Sequence, residues 1–152
     1  MRTIKILMLL PVLLFSNQIF TQENCAKMPV EKGIIGSLYG FRIHPNTKTK
    51  RFHAGLDIRA KHGNSVYAAF DGVVIEVKKS SKGYGNTIRI LHENGLESLY
   101  AHLSAFSVKT GDVICKGEII GKIGTSGNAT GPHLHFEIIE DKKKINPLEY
   151  LL

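Results

Sequence analysis

The sequence predicts a mainly β domain, an antiparallel sandwich or open barrel, and three observations lead there. Short apolar segments rich in β-branched residues recur along the chain. Glycine-containing turns punctuate them, and no stretch of about 11 residues or more keeps a helical period. With 152 residues, one domain is the expectation.

In chain order, residues 1–22 stand apart. Arg2 and Lys5 form a basic start, and Ile6 to Phe15 is an unbroken apolar run of ten residues. Ten are too few to span a bilayer as a helix, so the segment reads as a secretory signal, and membrane anchoring is disfavoured. Residues 23–32 form a short lead-in, and 33–152 the domain proper. Cys25 lacks the small residue before it that a lipid-anchor signal would place there, since Asn24 stands in that position. Cys115 is the other of two cysteines, and a Cys25–Cys115 bridge or two free thiols fit equally.

Ser65 to Ala69 reads as a strand, followed by Asp71-Gly72 as a hairpin signal and by Val73 to Val77. Gly85–Leu91 and Leu96–His102 follow, separated by Glu93-Asn94-Gly95. Val113–Cys115 and Glu118–Ile123 flank Lys116-Gly117, and His133–Glu140 is the last strand. Losing Arg2 and Lys5 with the leader lowers the formal charge from +7 to +5. A moderately basic exported domain suits an anionic surface such as a cell wall, and ordinary solubility charge explains it nearly as well. The basic residues are dispersed, which together with export argues against nucleic acid.

The chemistry concentrates in Gly124–Glu137, GTSGNATGPHLHFE. Its first half is turn-forming and predicts a tight, shaped loop. Its second half alternates, so His133, His135 and Glu137 share one strand face while Leu134 and Phe136 take the other. Paired imidazoles on one face suit a metal or an acid–base site. Glu137 reads either as an acceptor fixing a ligand tautomer or as a solvated strand-end carboxylate.

Two further patches support a site. In His53-Ala54-Gly55-Leu56-Asp57, an extended chain puts His53 and Asp57 on one face, and Gly55 leaves room for a close approach. Two histidines and an aspartate make a zinc shell with one position open. His102, ending the strand Leu99-Tyr100-Ala101, is a candidate for proton transfer. His44, His62 and His92 lie beside turns, where exposed polar residues are expected, and are assigned no role. The basic stretch Ile43–Phe52 is expected to be a loop forming one wall of a groove, with Gly124–Gly131 as the other, and an extended peptide between them.

The motifs GSLYGFRIHP, FHAGLDI, VYAAFDGVV, GYGNTIRILH, LYAHLS, GDVICKGEIIGKIGTSG and ATGPHLHFEI, closing with INPLEYL, cover about residues 33–152. In this order they resemble the lysostaphin-type (LytM-like) zinc metallopeptidases, cell-wall endopeptidases built on a small antiparallel β core. The resemblance implies zinc ligands at His53, Asp57 and His135, one Zn2+ per chain, and a catalytic pair at His102 and His133. It implies a zinc-dependent endopeptidase that hydrolyses peptide cross-links of peptidoglycan by a metal-activated water, in the periplasm or outside the cell. The resemblance implies peptidoglycan peptides as the substrate, and it allows wall or divisome proteins as partners. Some relatives serve only as activators of other hydrolases and have lost such histidines; here every position is filled. Some relatives also place a tyrosine near the scissile carbonyl; the motifs do not match Tyr39 to it residue by residue, and that role stays unassigned.

Overall fold

In the computed structural model, the structure describes residues 26–43 and 48–151. The leader, Cys25 and His44 lie outside them, and with Cys25 the question of its bridge to Cys115.

Among the described residues, thirteen strands and one short helix follow in order. β1 is Ile34–Ser37, β2 Gly40–Ile43, β3 Lys50–His53 and β4 Leu56–Arg59. β5 is Ser65–Tyr67, β6 Gly72–Lys78, β7 Thr87–Leu91, β8 Glu97–Ala101 and β9 Leu103–Phe106. β10 is Val113–Ile114, β11 Ile119–Ile123, β12 His133–Glu140 and β13 Lys143–Ile145, with α1 at Leu148–Leu151. An eight-stranded sheet runs β1-β4-β12-β8-β7-β6-β10, with β13 beside β12. A three-stranded sheet runs β5-β11-β9, and β2 pairs with β3 as a separate ribbon. Every pairing between these strands is antiparallel. The mainly β class read from the sequence holds, as several sheets without a closed barrel.

One apolar core joins the two larger sheets. Leu56 and Ile58 of β4, Ile88 and Ile90 of β7, and Leu134, Phe136 and Ile138 of β12 meet Val66, Leu103, Ile120 and Ile123 of the smaller sheet. Burial of these branched side chains is the main favourable term, on the order of 1.5–3 kcal/mol for each fully buried one. On β12 the alternation read from the sequence is realised: Leu134, Phe136 and Ile138 enter the core, while His133, His135 and Glu137 face the other way.

Three local expectations are corrected. Asp71-Gly72 does not close a hairpin, because β5 pairs with β11 while β6 pairs with β7 and β10. The turn instead carries the chain from the small sheet to the large one. The Ile43–Phe52 loop is shorter than expected, since Lys50–His53 is already a strand paired with Gly40–Ile43. His92 is beside a turn but buried, at 6% exposure, rather than exposed. His62 is exposed as expected. Among the lead-in residues, Ala26 N–H donates to the Tyr150 carbonyl at 2.8 Å and Lys27 N–H to that of Ala69 at 2.9 Å.

Candidate metal centre

The site is assembled where β12 lies between β4 and β8. Register sets His135 opposite Asp57 on one side and Ala101 on the other. His53 arrives from the ribbon: it ends β3, and the chain breaks at Ala54-Gly55 before entering β4. His53 and Asp57 therefore do not share one strand face, as an extended reading supposed; they converge from two strands. Gly55 makes the crossing possible, because a Cβ there would collide with the Phe136 carbonyl oxygen of β12.

Three donor atoms converge. His53 Nε2 stands 3.1 Å from Asp57 Oδ1, His135 Nδ1 stands 2.9 Å from the same oxygen, and the two nitrogens are 3.1 Å apart. The outward nitrogens fix the tautomers. His53 Nδ1 faces the Leu38 carbonyl oxygen at 2.7 Å, which can only accept, so Nδ1 carries the hydrogen. His135 Nε2 donates to Glu137 Oε1 at 2.9 Å. In neutral rings, both inward nitrogens then present lone pairs to a carboxylate oxygen. Three acceptors this close require a positive charge between them.

The residues fit a metal. Tetrahedral ligands about 2.0–2.2 Å from zinc stand roughly 3.3–3.6 Å apart, so this trio needs only a few tenths of an ångström of expansion. Both histidines are buried, His53 at 8% and His135 at 5% exposure, which limits competition from water. Burial raises the Asp57 carboxyl, but the adjoining His135 and His53 rings outweigh it and hold it well below the usual carboxylate range. Burial lowers His135, but Asp57 and Glu137 outweigh it and push the imidazole up.

Two more histidines face the same cleft of about 700 Å³. His102 Nδ1 donates to the Ser126 carbonyl at 2.8 Å, and His133 Nδ1 to that of Gly131 at 2.8 Å. Each is left with a bare Nε2, and their rings lie 4.8 Å apart. His102 sits at φ 62°, in the left-handed region, where the chain leaves β8 and enters β9. That conformation is uncommon for a residue with a side chain. Burial pushes the His102 imidazole below its ordinary value, and the neighbouring His133 and His135 lower it further, against the opposing Ser126 carbonyl and Asp57.

Of the expected wall Gly124–Gly131, residues 128–131 line the cleft together with Pro132, and Arg42 lines it from the ribbon. Arg42 reaches Asp57 Oδ2 at 3.6 Å and Ser37 Oγ at 2.8 Å. Glu137 is fully buried, so the solvated alternative for it is wrong. Sequence reasoning missed Tyr84, Ser126 and Lys144. Tyr84 stacks on His135 with centroids 5.2 Å apart at 24° and donates to Glu137 Oε1 at 2.6 Å. Nothing in the sequence marks it beyond its place in the GYGN motif. Tyr39 instead donates its hydroxyl to the Lys144 carbonyl at 2.8 Å.

Fold and donor set together define a mainly β protein with a His-Asp-His site of the metal-binding kind. The model of Peptidase family M23 matches residues 51–147, and the chain belongs to that family. The lysostaphin-type resemblance therefore holds, and membership of this metallopeptidase family implies a metal. The chain is 48% identical over 118 residues to the DD-carboxypeptidase/endopeptidase Mpg of Neisseria meningitidis serogroup B, covering 78% of this chain and 27% of that protein. It thus spans about a quarter of the length of such curated relatives. Among solved structures it is similar to a point mutant of the catalytic domain of the prophage-encoded M23 protein EnpA from Enterococcus faecalis. There the TM-score is 0.73 at 33% identity, over 82% of this chain and 96% of that one. The catalytic domain of lysostaphin from Staphylococcus simulans gives a TM-score of 0.69 at 32% identity, over 78% and 92% of the two chains.

Proposed function

We propose that this domain is a zinc-dependent endopeptidase that hydrolyses the peptide cross-links of bacterial peptidoglycan, acting outside the cytoplasm. The observation that carries the reading is the convergence of His53 Nε2, Asp57 Oδ1 and His135 Nδ1, with both outward ring nitrogens already committed. The names of the similar proteins, peptidoglycan endopeptidases among them, support the substrate class. The apolar leader at 6–15 supports export.

His53, Asp57 and His135 would hold the ion. Bound there, zinc supplies Lewis acidity and a water acidic enough to ionise near pH 7. The remaining chemistry belongs to the two other histidines. His102 and His133 each present a bare Nε2 to the cleft, able to accept a proton as general base or, once protonated, to deliver it to the leaving amine. The carbonyls of Ser126 and Gly131 keep both rings in that tautomer. A substrate peptide would lie between the ribbon and the Asn128–Pro132 loop.

The test is digestion of purified peptidoglycan by the chain, products identified by mass spectrometry, with and without a zinc chelator. Chelator-sensitive appearance of cleaved peptide cross-links is expected. A zinc-loaded, folded sample that sediments with peptidoglycan and cleaves nothing would replace this reading with that of a wall-binding partner.

A further inference from the structure

A second groove, of about 430 Å³, lies beside the first, with Tyr84 bordering both. Glu137 and Lys144 lie on its wall with Lys78, Lys82 and Lys142. Glu137 is fully buried, and a buried carboxylate is costly unless both oxygens are compensated. Oε1 is well served, accepting from the Tyr84 hydroxyl at 2.6 Å, His135 Nε2 at 2.9 Å and Lys144 Nζ at 3.1 Å. Oε2 accepts no hydrogen bond, and its charge is met by Lys144 Nζ at 3.1 Å. Lys144 Nζ also donates to the Tyr84 hydroxyl at 2.7 Å and lies 5.0 Å over the Tyr84 ring.

Lys144 thus holds both groups that fix the His135 imidazole: the carboxylate that accepts from Nε2 and the ring stacked on its face. Its ammonium comes from β13, whose Lys144 pairs with Ile139 of β12. Without it, Oε2 would be a bare buried charge next to a water-accessible groove. Turning the carboxylate toward that groove would relieve the charge and release His135 Nε2–H. The imidazole would then lose its fixed tautomer and orientation.

We propose that Lys144 is a positioning residue of the metal site, locking Glu137 and Tyr84 against His135 from outside the cleft. The inference rests on the metal-site reading above, and its test needs no substrate. Zinc affinity of the purified chain is measured by competition with a chromophoric chelator, and Co2+ uptake by its visible absorption. Lys144→Met is expected to weaken zinc binding about tenfold, within the range that partners of ligating histidines command. It should also broaden or shift the Co2+ bands. Lys144→Arg, which keeps a cationic donor, is expected to restore affinity to within about threefold of the wild type. Because the ammonium also compensates the buried Glu137, metal-free Lys144→Met should melt below the wild type, so zinc affinities are compared at a temperature where circular dichroism shows every variant fully folded.

A Lys144→Met protein that binds zinc as tightly as the wild type, or more tightly, with an unchanged Co2+ spectrum overturns the inference. A wild-type chain that takes up neither ion overturns the metal reading itself, and the inference with it.

Discussion

His102 donates Nδ1–H to the Ser126 carbonyl oxygen across 2.8 Å, and the two residues are 24 positions apart in the chain. Ser126 is itself anchored, its hydroxyl donating to the Leu103 carbonyl at 2.8 Å and accepting from Asn86 N–H at 2.9 Å. The imidazole is therefore held by a loop that is pinned to the strand on which His102 turns. Its left-handed backbone and its ring orientation are set by the same few contacts.

Replacing His102 should separate metal binding from turnover. His102→Ala is expected to retain zinc and lose roughly 10²–10⁴ in kcat, the usual worth of a positioned acid–base group. His135→Ala should lose the metal. Metal content and cleavage of a cross-linked muropeptide, measured on both variants, decide it, and a fully active His102→Ala protein would remove this residue from the mechanism.

The pH profile follows from the direction of the His102 shift. Because burial lowers its pKa, the imidazole stays neutral, and competent as a base, below the ordinary histidine value of 6.5. If His102 is the base, the acid limb of kcat should fall below that value. An acid limb centred above 6.5 would assign the base elsewhere.

His92 predicts acid sensitivity of the fold, independent of catalysis. Its Nδ1 donates to the Asp71 carbonyl at 2.7 Å and its Nε2 meets Ser98 Oγ at 2.9 Å. Ser98 Oγ in turn contacts the Tyr100 hydroxyl at 3.1 Å, whose oxygen accepts from Ala69 N–H at 2.8 Å. Burial lowers the His92 pKa and outweighs the Asp71 carbonyl, so the unfolded chain binds a proton that the folded chain resists. Its stability contribution is complete above the unfolded pKa of about 6.5 and is lost as pH falls through the lowered folded value. Urea midpoints measured from pH 7.5 down to pH 5 should fall more steeply for the wild type than for His92→Gln. Parallel curves would sink the assignment.

At Gly55 the backbone leaves no space for a side chain. Gly55→Ala pushes a methyl into the Phe136 carbonyl and crowds the His135 ring. A loss of about 1–3 kcal/mol is expected, the usual cost of overpacking, together with weaker zinc binding. Wild-type values for both the denaturant midpoint and the metal affinity would show that β4 and β12 can move apart freely.

Local patterns in the chain account for much of this architecture and less of its chemistry. The alternation in His133–Glu140 was legible because a strand repeats every two residues, and it placed His133 and His135 correctly on one face. Spacing could not show that His53 and Asp57 belong to different strands, since the break at Ala54-Gly55 comes from β12 packing against the glycine. Asp71-Gly72 looked like a hairpin because turn chemistry is local, whereas the choice between two sheets depends on partners far along the chain. Tyr84 was invisible for the same reason: its carboxylate partner is 53 residues away. His92 was misread as exposed because a turn beside it said nothing about the Ser98–Tyr100 pair waiting in the core.

The hydrogen bond between Ala26 and Tyr150 sets the two ends of the described residues side by side, with Ala26, Tyr150 and Leu151 packed on the same apolar cluster. A unit whose entry and exit are neighbours can be spliced into a surface loop of a host protein with little disturbance to either partner. It can equally be reopened elsewhere and rejoined there by a short linker. Residues 26–151 are thus closed on themselves, their two ends clasped by the backbone as well as by the core.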